Sequence, residues 1–213
     1  MEISLRKVIP SYIEEEKVKN SGIWNNDIVF RKGAYAHMVA ASGQGKTSLI
    51  HFIYGLRKDY TGSISYDLEA IHDFDAEGFS PYRQKNISIV FQDLRLFAAQ
   101  TARENIEIKR QLAPYHEARK IAEMAARLGV ATKLDKVIKT CSYGEQQRIA
   151  IIRALMQPFD FLLLDEPFSN LDEINRAKAM ELIDEECKAR GAGMIFADLK
   201  LFDFFKGHKV LTM

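Results

Sequence analysis

The sequence has few cysteines, no long apolar run and almost no net charge. Its two cysteines, Cys141 and Cys187, lie far apart in the chain, which gives neither the spacing of a metal site nor a disulfide framework and fits a reducing compartment. No run of about 18 apolar residues could form a transmembrane helix, and the first ten residues lack the apolar stretch of a signal peptide. A formal net charge of +1 argues against a broad basic surface for nucleic acid. We therefore expect a cytoplasmic protein with no nucleic-acid partner, which reaches a membrane only through another protein.

Apolar strands alternating with amphipathic helices make up most of the chain. The 213 residues, 47% of them hydrophobic, suffice for one domain with a packed core. Sequence patterning predicts helices at 46–56 and 173–190 and strands at 35–41, 62–68, 86–92, 158–167, 191–199 and 207–213. This alternation predicts an α/β fold with a mainly parallel sheet, and the helical character of 101–138 predicts a lobe inserted into it. The charged run at 13–20 is interpreted as a solvated loop or strand edge.

The segment AASGQGKTS, residues 40–48, has the pattern of a phosphate-binding loop between a strand and a helix. Gly43 and Gly45 let the backbone curl so that successive N–H groups point inward, and the following helix adds its positive dipole end. Lys46 can reach β- and γ-phosphates, and the Thr47 hydroxyl can bind Mg²⁺. An ordinary glycine-rich turn is the alternative, which the strand–loop–helix context disfavours. The predicted phosphate-binding residues are Ala40, Ser42, Gly43, Gln44, Gly45, Lys46, Thr47 and Ser48.

The segment FLLLDEP, residues 161–167, predicts a buried strand that delivers two carboxylates to the same sheet edge as the loop. Asp165 would lie near the Mg²⁺ ion and hold it through water. Glu166 would polarise the attacking water as a general base. The alternative is that both are surface or helix-capping acids.

The segment CSYGEQQR, residues 141–148, precedes an amphipathic helix. Ser142 with Glu145 three residues later has the spacing of a capping box, which fully explains a helix start. It does not explain Gly144, because glycine is unfavourable in the first helical turn. We therefore expect some group to approach the backbone closely at Gly144.

Taken together with FQD at 91–93 and SNLD at 169–172, these motifs occur in the order found in ATP-binding cassette (ABC) ATPases, and the chain resembles that family over nearly its whole length. The segment GEQQR is similar to its counterpart in the lipoprotein-releasing, macrolide-export and cell-division cassettes. The resemblance implies a single domain, 1–213, with a phosphate-loop NTPase core and an antiparallel β element near the N-terminus. The implied core spans 1–93 and 156–213, and the inserted helical subdomain spans about 94–155.

The resemblance also implies that two copies close head to tail around ATP and Mg²⁺. Ser142, Gly144 and Glu145 of one copy would then face the nucleotide of the other. Tyr12 would stack on adenine, although a half-buried strand residue is the alternative. Asp172 would lie at the dimer seam, or cap the next helix, or do both.

The function implied is that of an ATP-hydrolysing subunit that drives a separate transmembrane permease at the inner face of the membrane, with Glu166, Lys46 and Gln92 as catalytic residues. Gln92 would contact Mg²⁺, together with Thr47 and Asp165, and report occupancy to the permease. The apolar residues Leu94, Leu96 and Phe97 would form part of a groove for that permease, unless they pack locally. One alternative is a slow or non-hydrolysing nucleotide switch on a membrane partner. Another is a cassette protein that acts in DNA repair or on ribosomes.

Three positions depart from the family pattern. Ala40 replaces the first loop glycine, which is harmless only if its φ is negative. In the family, the segment that corresponds to CSYGE is a signature of leucine, serine, two glycines and glutamine or glutamate. Tyr143 replaces the first of these glycines and would either project into solvent or crowd the dimer. Ala197, Asp198 and Leu199 follow the strand after which the family has a histidine, and His208 is expected on the surface. We therefore expect ATP binding and dimerisation with slow hydrolysis.

Overall fold

The computed structural model describes residues 1–201 and 207–213. Its strands are β1 (Glu2–Pro10), β2 (Asp27–Arg31), β3 (Tyr35–Val39), β4 (Tyr60–Tyr66), β5 (Glu69–Ala70), β6 (Ile87–Val90), β7 (Phe161–Asp165), β8 (Gly193–Asp198) and β9 (Lys209–Thr212). Its α-helices are α1 (Glu15–Lys19), α2 (Lys46–Ile53), α3 (Ala76–Lys85), α4 (Ala102–Leu112), α5 (Arg119–Arg127), α6 (Tyr143–Leu155) and α7 (Glu173–Arg190). Short 3-10 turns lie at Ala131–Lys133 and Ile138–Thr140.

Two sheets carry these strands. The first has the order β6-β7-β8-β3-β9, and its neighbours pair in parallel. The second has the order β2-β1-β4-β5 and is antiparallel. The predicted α/β fold, with a parallel sheet and an antiparallel element built from N-terminal strands, is confirmed.

Strands β6, β7 and β8 of the parallel sheet are buried along their whole length, as their uninterrupted apolar sequences require. Along β7, Phe161 and Leu163 point into the apolar cluster formed with α2 and the antiparallel sheet. Leu162 and Leu164 point into the opposite cluster, which includes residues of α4 to α7. This alternation holds β7 between two packed layers, so its last residue, Asp165, has little freedom to move.

The carboxyl ends of β3, β7 and β8 meet at one edge of the sheet. Val39 pairs with Asp198, and Asp165 pairs with Ala197. The loop after β3 and the acids that end β7 therefore come together, as the sequence predicted from the polarity of a parallel sheet.

Helix α1 corrects the interpretation of 13–20 as a loop or strand edge. Its first turn carries Glu15 and Glu16, and its last turn carries Lys17 and Lys19. Each charge complements the end of the helix dipole that it lies near. This charge order makes a short helix favourable although none of its residues is buried.

Helices α4, α5 and α6 fall between β6 and β7 in the chain, within the predicted helical insertion. The subdomain boundaries given above remain a prediction. Among the described residues, no helix is both long and apolar enough to cross a membrane.

Candidate functional site

The loop after β3 curls around the Lys46 ammonium group. Gly43 and Gly45 have φ values of +80° and +99°, a region that side chains rarely adopt. The Lys46 Nζ atom donates hydrogen bonds to the carbonyl oxygens of Ala40 (2.8 Å) and Ala41 (3.1 Å) and lies 3.5 Å from Glu166 Oε1. Ala40 is not among the non-glycine residues with positive φ, so its methyl group adds no backbone strain.

Trp24, the single tryptophan of the chain, supports this loop from below. Its side chain is buried, and its Nε1 donates a hydrogen bond to the Gln44 carbonyl oxygen at 3.2 Å. A Cβ atom at Gly45 would lie only 2.8 Å from the indole Cζ2 atom. Gly45 is therefore required both by its backbone angle and by the ring beneath it. The sequence motif gave no sign of this contact.

Asp165 lies directly behind the loop and is fully buried. Its Oδ1 accepts a hydrogen bond from Thr47 Oγ1 at 3.1 Å, and that hydroxyl lies 3.4 Å from Gln92 Oε1. Its Oδ2 is buried and has no hydrogen-bond partner among the described residues. Burial raises the pKa of Asp165 to about 6, the negative charge of Glu166 acts in the same direction, and the Thr47 hydrogen bond and Lys46 oppose them.

This group of oxygens suits Mg²⁺. The ion prefers carboxylate, amide and hydroxyl oxygens, and it is usually held by one or two carboxylates with water and substrate phosphates completing its shell. Thr47, Gln92 and Asp165 supply those oxygen types, and the unpaired Oδ2 of Asp165 is a buried acceptor available to a ligand. Within residues 1–201 and 207–213, no cluster of three or more His, Cys, Asp or Glu side chains could hold a metal alone. The residues present therefore fit an ion that binds together with phosphate.

Glu166 has a strained backbone. Its φ of +45° lies in the left-handed region, which costs a non-glycine residue roughly 1–2 kcal/mol. Its N–H group donates a hydrogen bond to the Ala197 carbonyl oxygen at 2.9 Å, and its side chain pairs with Lys46. Such strain persists only where surrounding structure imposes it, and it is concentrated at functional sites.

These residues surround an open cavity of about 260 Å³. Nine of the predicted site residues line it, and Arg57 is a tenth that the sequence did not indicate. The lining residues are Tyr12, Ser42, Gly43, Gly45, Lys46, Thr47, Ser48, Arg57, Gln92 and Glu166. Of the other predicted residues near the loop, Ala40 and Gln44 contribute carbonyl oxygens to Lys46 and Trp24, and Asp165 lies one hydrogen bond behind Thr47.

Tyr12 lies at the mouth of the cavity. It follows the end of β1 at Pro10 and is 52% exposed, so the alternative of a half-buried strand residue is wrong. Its hydroxyl donates a hydrogen bond to Ser48 Oγ, and the Arg57 guanidinium lies 4.8 Å from its ring centroid.

Comparison with known proteins agrees with this geometry. Residues 25–169 match the sequence profile described as ABC transporter. The chain belongs to the ABC transporter family. It is 33% identical to the macrolide export ATP-binding/permease protein MacB of Nitrosomonas europaea, an alignment that covers 86% of this chain and 28% of MacB. It is 34% identical to the lipoprotein-releasing system ATP-binding protein LolD of Syntrophotalea carbinolica, over 78% of this chain and 74% of that protein.

Other relatives of this ABC family member extend the comparison. The thiamine import ATP-binding protein ThiQ of Vibrio cholerae is 31% identical over 83% of this chain and 73% of its own length. This chain spans less than half the length of two relatives, 28% of MacB and 41% of a molybdenum import ATP-binding protein of Mesorhizobium japonicum. The dimeric structure of the bacterial ABC transporter cassette MJ0796 superposes with a TM-score of 0.80 at 24% identity, covering 93% of this chain and 88% of that one. This likeness shows the shared fold.

The signature residues of this ABC chain stand apart from its own cavity. Ser142 and Glu145 form the predicted capping box, in which Ser142 Oγ accepts from the Glu145 N–H and Glu145 Oε2 accepts from the Ser142 N–H. Glu145 also pairs with Lys133 at 3.1 Å, and hydrogen bonding to Ser142 is the main cause that lowers its pKa. A Cβ atom at Gly144 would lie 2.9 Å from the Asn170 carbonyl oxygen. This carbonyl is a group that approaches the Gly144 backbone closely within the same chain.

Tyr143 packs against its own chain. Helix α6 contacts residues 92–95 through both its first and its last turn. At its first turn, the Tyr143 hydroxyl donates a hydrogen bond to the Gln92 carbonyl oxygen at 3.0 Å. At its last turn, the Arg153 guanidinium donates to the carbonyl oxygens of Leu94 and Arg95, both at 2.6 Å. Leu94 and Arg95 have φ values of +58° and +46°, so these hydrogen bonds hold a strained turn. Burial lowers the pKa of Arg153 to about 10.

Asp198 stands close to the strand end where the family has a histidine. The residue is buried, and its Oδ1 accepts hydrogen bonds from the N–H groups of Leu199 (2.6 Å) and Lys200 (3.4 Å). Burial raises its pKa, and Glu166 adds to that effect while the two N–H groups and Lys46 oppose it. The Asp198 carboxylate is thus hydrogen-bonded to the backbone of the turn that directly follows it. His208, which was predicted on the surface, is half-buried, with its ring centroid 5.6 Å from that of His37.

The predicted apolar groove requires correction. Leu94 is buried and Leu96 packs against the core, so for these two residues local packing is correct. Phe97 is 57% exposed and, with Ile108, lines a depression of about 380 Å³ whose rim is polar. Asp172 caps α7 by accepting a hydrogen bond from the Asn175 N–H at 2.8 Å.

Proposed function

We propose that this chain is the ATP-binding and ATP-hydrolysing subunit of an ABC transporter, and that it acts as a homodimer closed by ATP and Mg²⁺. The observation that carries the proposal is the cavity in which Lys46, Thr47 and Glu166 converge in front of the buried Asp165. Family membership and relatives named as ATP-binding proteins of import and export systems support it.

The proposed roles follow from the contacts. The backbone N–H groups of residues 42–48 and the Lys46 ammonium bind the phosphates, and Tyr12 offers its exposed ring to the base. Thr47, Gln92 and Asp165 would hold Mg²⁺, which would neutralise phosphate charge. Glu166, held at the cavity by its backbone bond to Ala197, accepts the proton of the attacking water.

A second copy is needed to complete this site. Gly144 lies in the first turn of α6, where backbone N–H groups lack an acceptor in the helix backbone, and neither Gly144 nor Ser142 lines the cavity of its own chain. In a head-to-tail dimer these groups and Glu145 would face the nucleotide of the other copy, with Asp172 near the seam. This arrangement gives these polar groups a role beyond the capping that Ser142 and Glu145 already provide.

A separate transmembrane permease is the proposed partner, and it would hold the chain at the inner face of the membrane. The permease would dock at the depression lined by Phe97 and Ile108, rather than at a groove that includes Leu94 and Leu96. Relatives named for import and for export support a transporter over a nucleotide switch or a cassette acting on DNA or ribosomes. We further propose that hydrolysis is slow, since Asp198 occupies the region where the family has a histidine.

The test is ATP turnover and oligomeric state of the purified full chain. We expect wild type to hydrolyse Mg-ATP at a low rate, and Glu166→Gln to abolish hydrolysis and accumulate an ATP-dependent dimer in size-exclusion chromatography. An Asp75→Asn control should retain turnover, because Asp75 caps α3, does not line the cavity, and asparagine also caps helices. If Glu166→Gln stays monomeric with Mg-ATP, the dimer proposal fails, and turnover at ordinary family rates would refute slow hydrolysis.

A further inference from the structure

The cavity has two chemically different ends. At one end, the Lys46 Nζ atom lies 3.5 Å from Glu166 Oε1, and the Thr47 hydroxyl bonds to the buried Asp165. At the other end, the Tyr12 ring and the Arg57 guanidinium meet at the Ser48 hydroxyl. Terminal phosphates suit the first end, where Lys46 and a bound metal would neutralise the phosphate charge. An aromatic base suits the second end. A nucleotide bound in this orientation passes the phosphate nearest its ribose beside Ser48.

Arg57 is held in a defined position at that point. Its Nε donates to Asp59 Oδ1 at 2.9 Å and its Nη2 donates to Asp59 Oδ2, a two-point contact that fixes the plane of a guanidinium. Its Nη1 donates to Ser48 Oγ at 3.1 Å. These bonds use three of the five N–H donors of an arginine, which leaves donors for a ligand in the cavity.

The charges around the cavity make a second cation useful. Lys46 is already engaged by two loop carbonyl oxygens and by Glu166. Ser48 lies in the first turn of α2, where backbone N–H groups lack partners and the dipole is positive. Arg57 adds a full positive charge beside this turn although it lies nine residues further along the chain.

We propose that Arg57 is a nucleotide-binding residue whose guanidinium binds the phosphate nearest the ribose. This inference rests on the proposed nucleotide-binding function. It assigns the cavity two cations with separate tasks, Lys46 for the terminal phosphates and Arg57 for the phosphate at the aromatic end. The Tyr12 hydroxyl and Arg57 now share Ser48 Oγ, and an arriving phosphate offers Arg57 a charged acceptor in place of that neutral one.

Titration of the full chain with ADP and with adenosine tests the proposal. Trp24 is the only tryptophan and bonds to the phosphate loop, so its emission can report binding. Arg57→Gln removes a charge-assisted hydrogen bond and should raise the Kd for ADP about tenfold, which corresponds to about 1.4 kcal/mol. The Kd for adenosine, which has no phosphate, should not change.

Two further variants control for charge and folding. Lys58→Gln removes the same charge from the next residue, whose Nζ bonds to the carbonyl oxygens of His72 and Phe74 outside the cavity, and should leave the Kd for ADP unchanged. Asp59→Asn leaves the Arg57 charge but loosens its position, and should raise that Kd about threefold, because an exposed ion pair contributes little to the fold itself.

The outcomes distinguish nucleotide binding by the chain from phosphate binding by Arg57. If wild type binds neither ADP nor ATP, the proposed function fails. If wild type binds and Arg57→Gln weakens ADP and adenosine equally, tightens either one or changes neither, only the assignment of Arg57 is overturned. Should Arg57→Gln not fold, an unchanged Kd for ADP in Asp59→Asn overturns the assignment.

Discussion

Replacing Asp165 by asparagine should stabilise the metal-free protein at neutral pH. The Thr47 hydroxyl can still donate to the amide oxygen, so the 3.1 Å hydrogen bond survives the change. The buried negative charge is lost, and with it the penalty that raises the pKa from 3.8 to about 6. A rise of that size corresponds to about 3 kcal/mol, at about 1.4 kcal/mol for each pH unit.

The direction of the pH dependence of stability follows from proton binding. Folded wild type keeps the Asp165 proton up to pH about 6, whereas the unfolded chain releases it near 3.8. Between these values the folded state binds more protons, so wild type loses stability as pH rises. We expect the stability of Asp165→Asn relative to wild type to increase with pH, by about 2 kcal/mol between pH 4.5 and 7.5.

Urea denaturation in EDTA across that pH range, followed by tryptophan fluorescence, measures the difference. Asp172→Asn is the matched control, because hydrogen bonding to the Asn175 N–H lowers the pKa of Asp172. That carboxyl is therefore charged in the folded and the unfolded state above pH 4.5, and the difference in stability between this variant and wild type should stay nearly constant across the range. With Mg-ADP added, wild type should gain more stability than Asp165→Asn, since the variant lacks a carboxylate for the metal. A difference between wild type and Asp165→Asn that does not change with pH would refute the burial argument.

Two more substitutions test contacts of α6. Gly144→Ala should lower the free energy of unfolding by roughly 1 kcal/mol in urea melts. The steric clash of a Cβ atom 2.9 Å from the Asn170 carbonyl oxygen outweighs the higher helix propensity of alanine. A stabilised variant would show that this carbonyl group moves aside at little cost. Tyr143→Phe removes the hydroxyl that bonds to Gln92 and should cost about 0.5–1 kcal/mol in the same assay, whereas Tyr115→Phe, a substitution at another exposed tyrosine, should leave stability unchanged.

The parts of the site that depend on local spacing were predictable from sequence. The loop at 40–48 and the acids at the end of β7 each lie within one short segment, and parallel pairing places both at one sheet edge. The capping box of α6 is likewise local. Each of these patterns encodes its geometry within a few residues.

Contacts between distant segments were not predictable in this way. Trp24 supports a loop that lies 20 residues further along, and no spacing rule connects them. Arg57 reaches Ser48 only because the chain after α2 runs beside the end of β1, where the Ser11 N–H bonds to the Asp59 carbonyl oxygen. Leu94 appeared exposed in the sequence, yet a left-handed turn held by Arg153, 59 residues later, directs it inward.

The hydrogen bonds between α6 and residues 92–95 couple the position of this helix to that of Gln92. A helix of 13 residues is stiff, and its first and last turns are both fastened to one short stretch that ends in the strained pair Leu94 and Arg95. If Gln92 shifts when it ligates an ion, the helix must travel with it or lose bonds that together contribute about 1.5–4.5 kcal/mol. A displacement of a fraction of an ångström at Gln92 would then move the start of α6 and with it Ser142, which the proposed dimer turns toward a second copy.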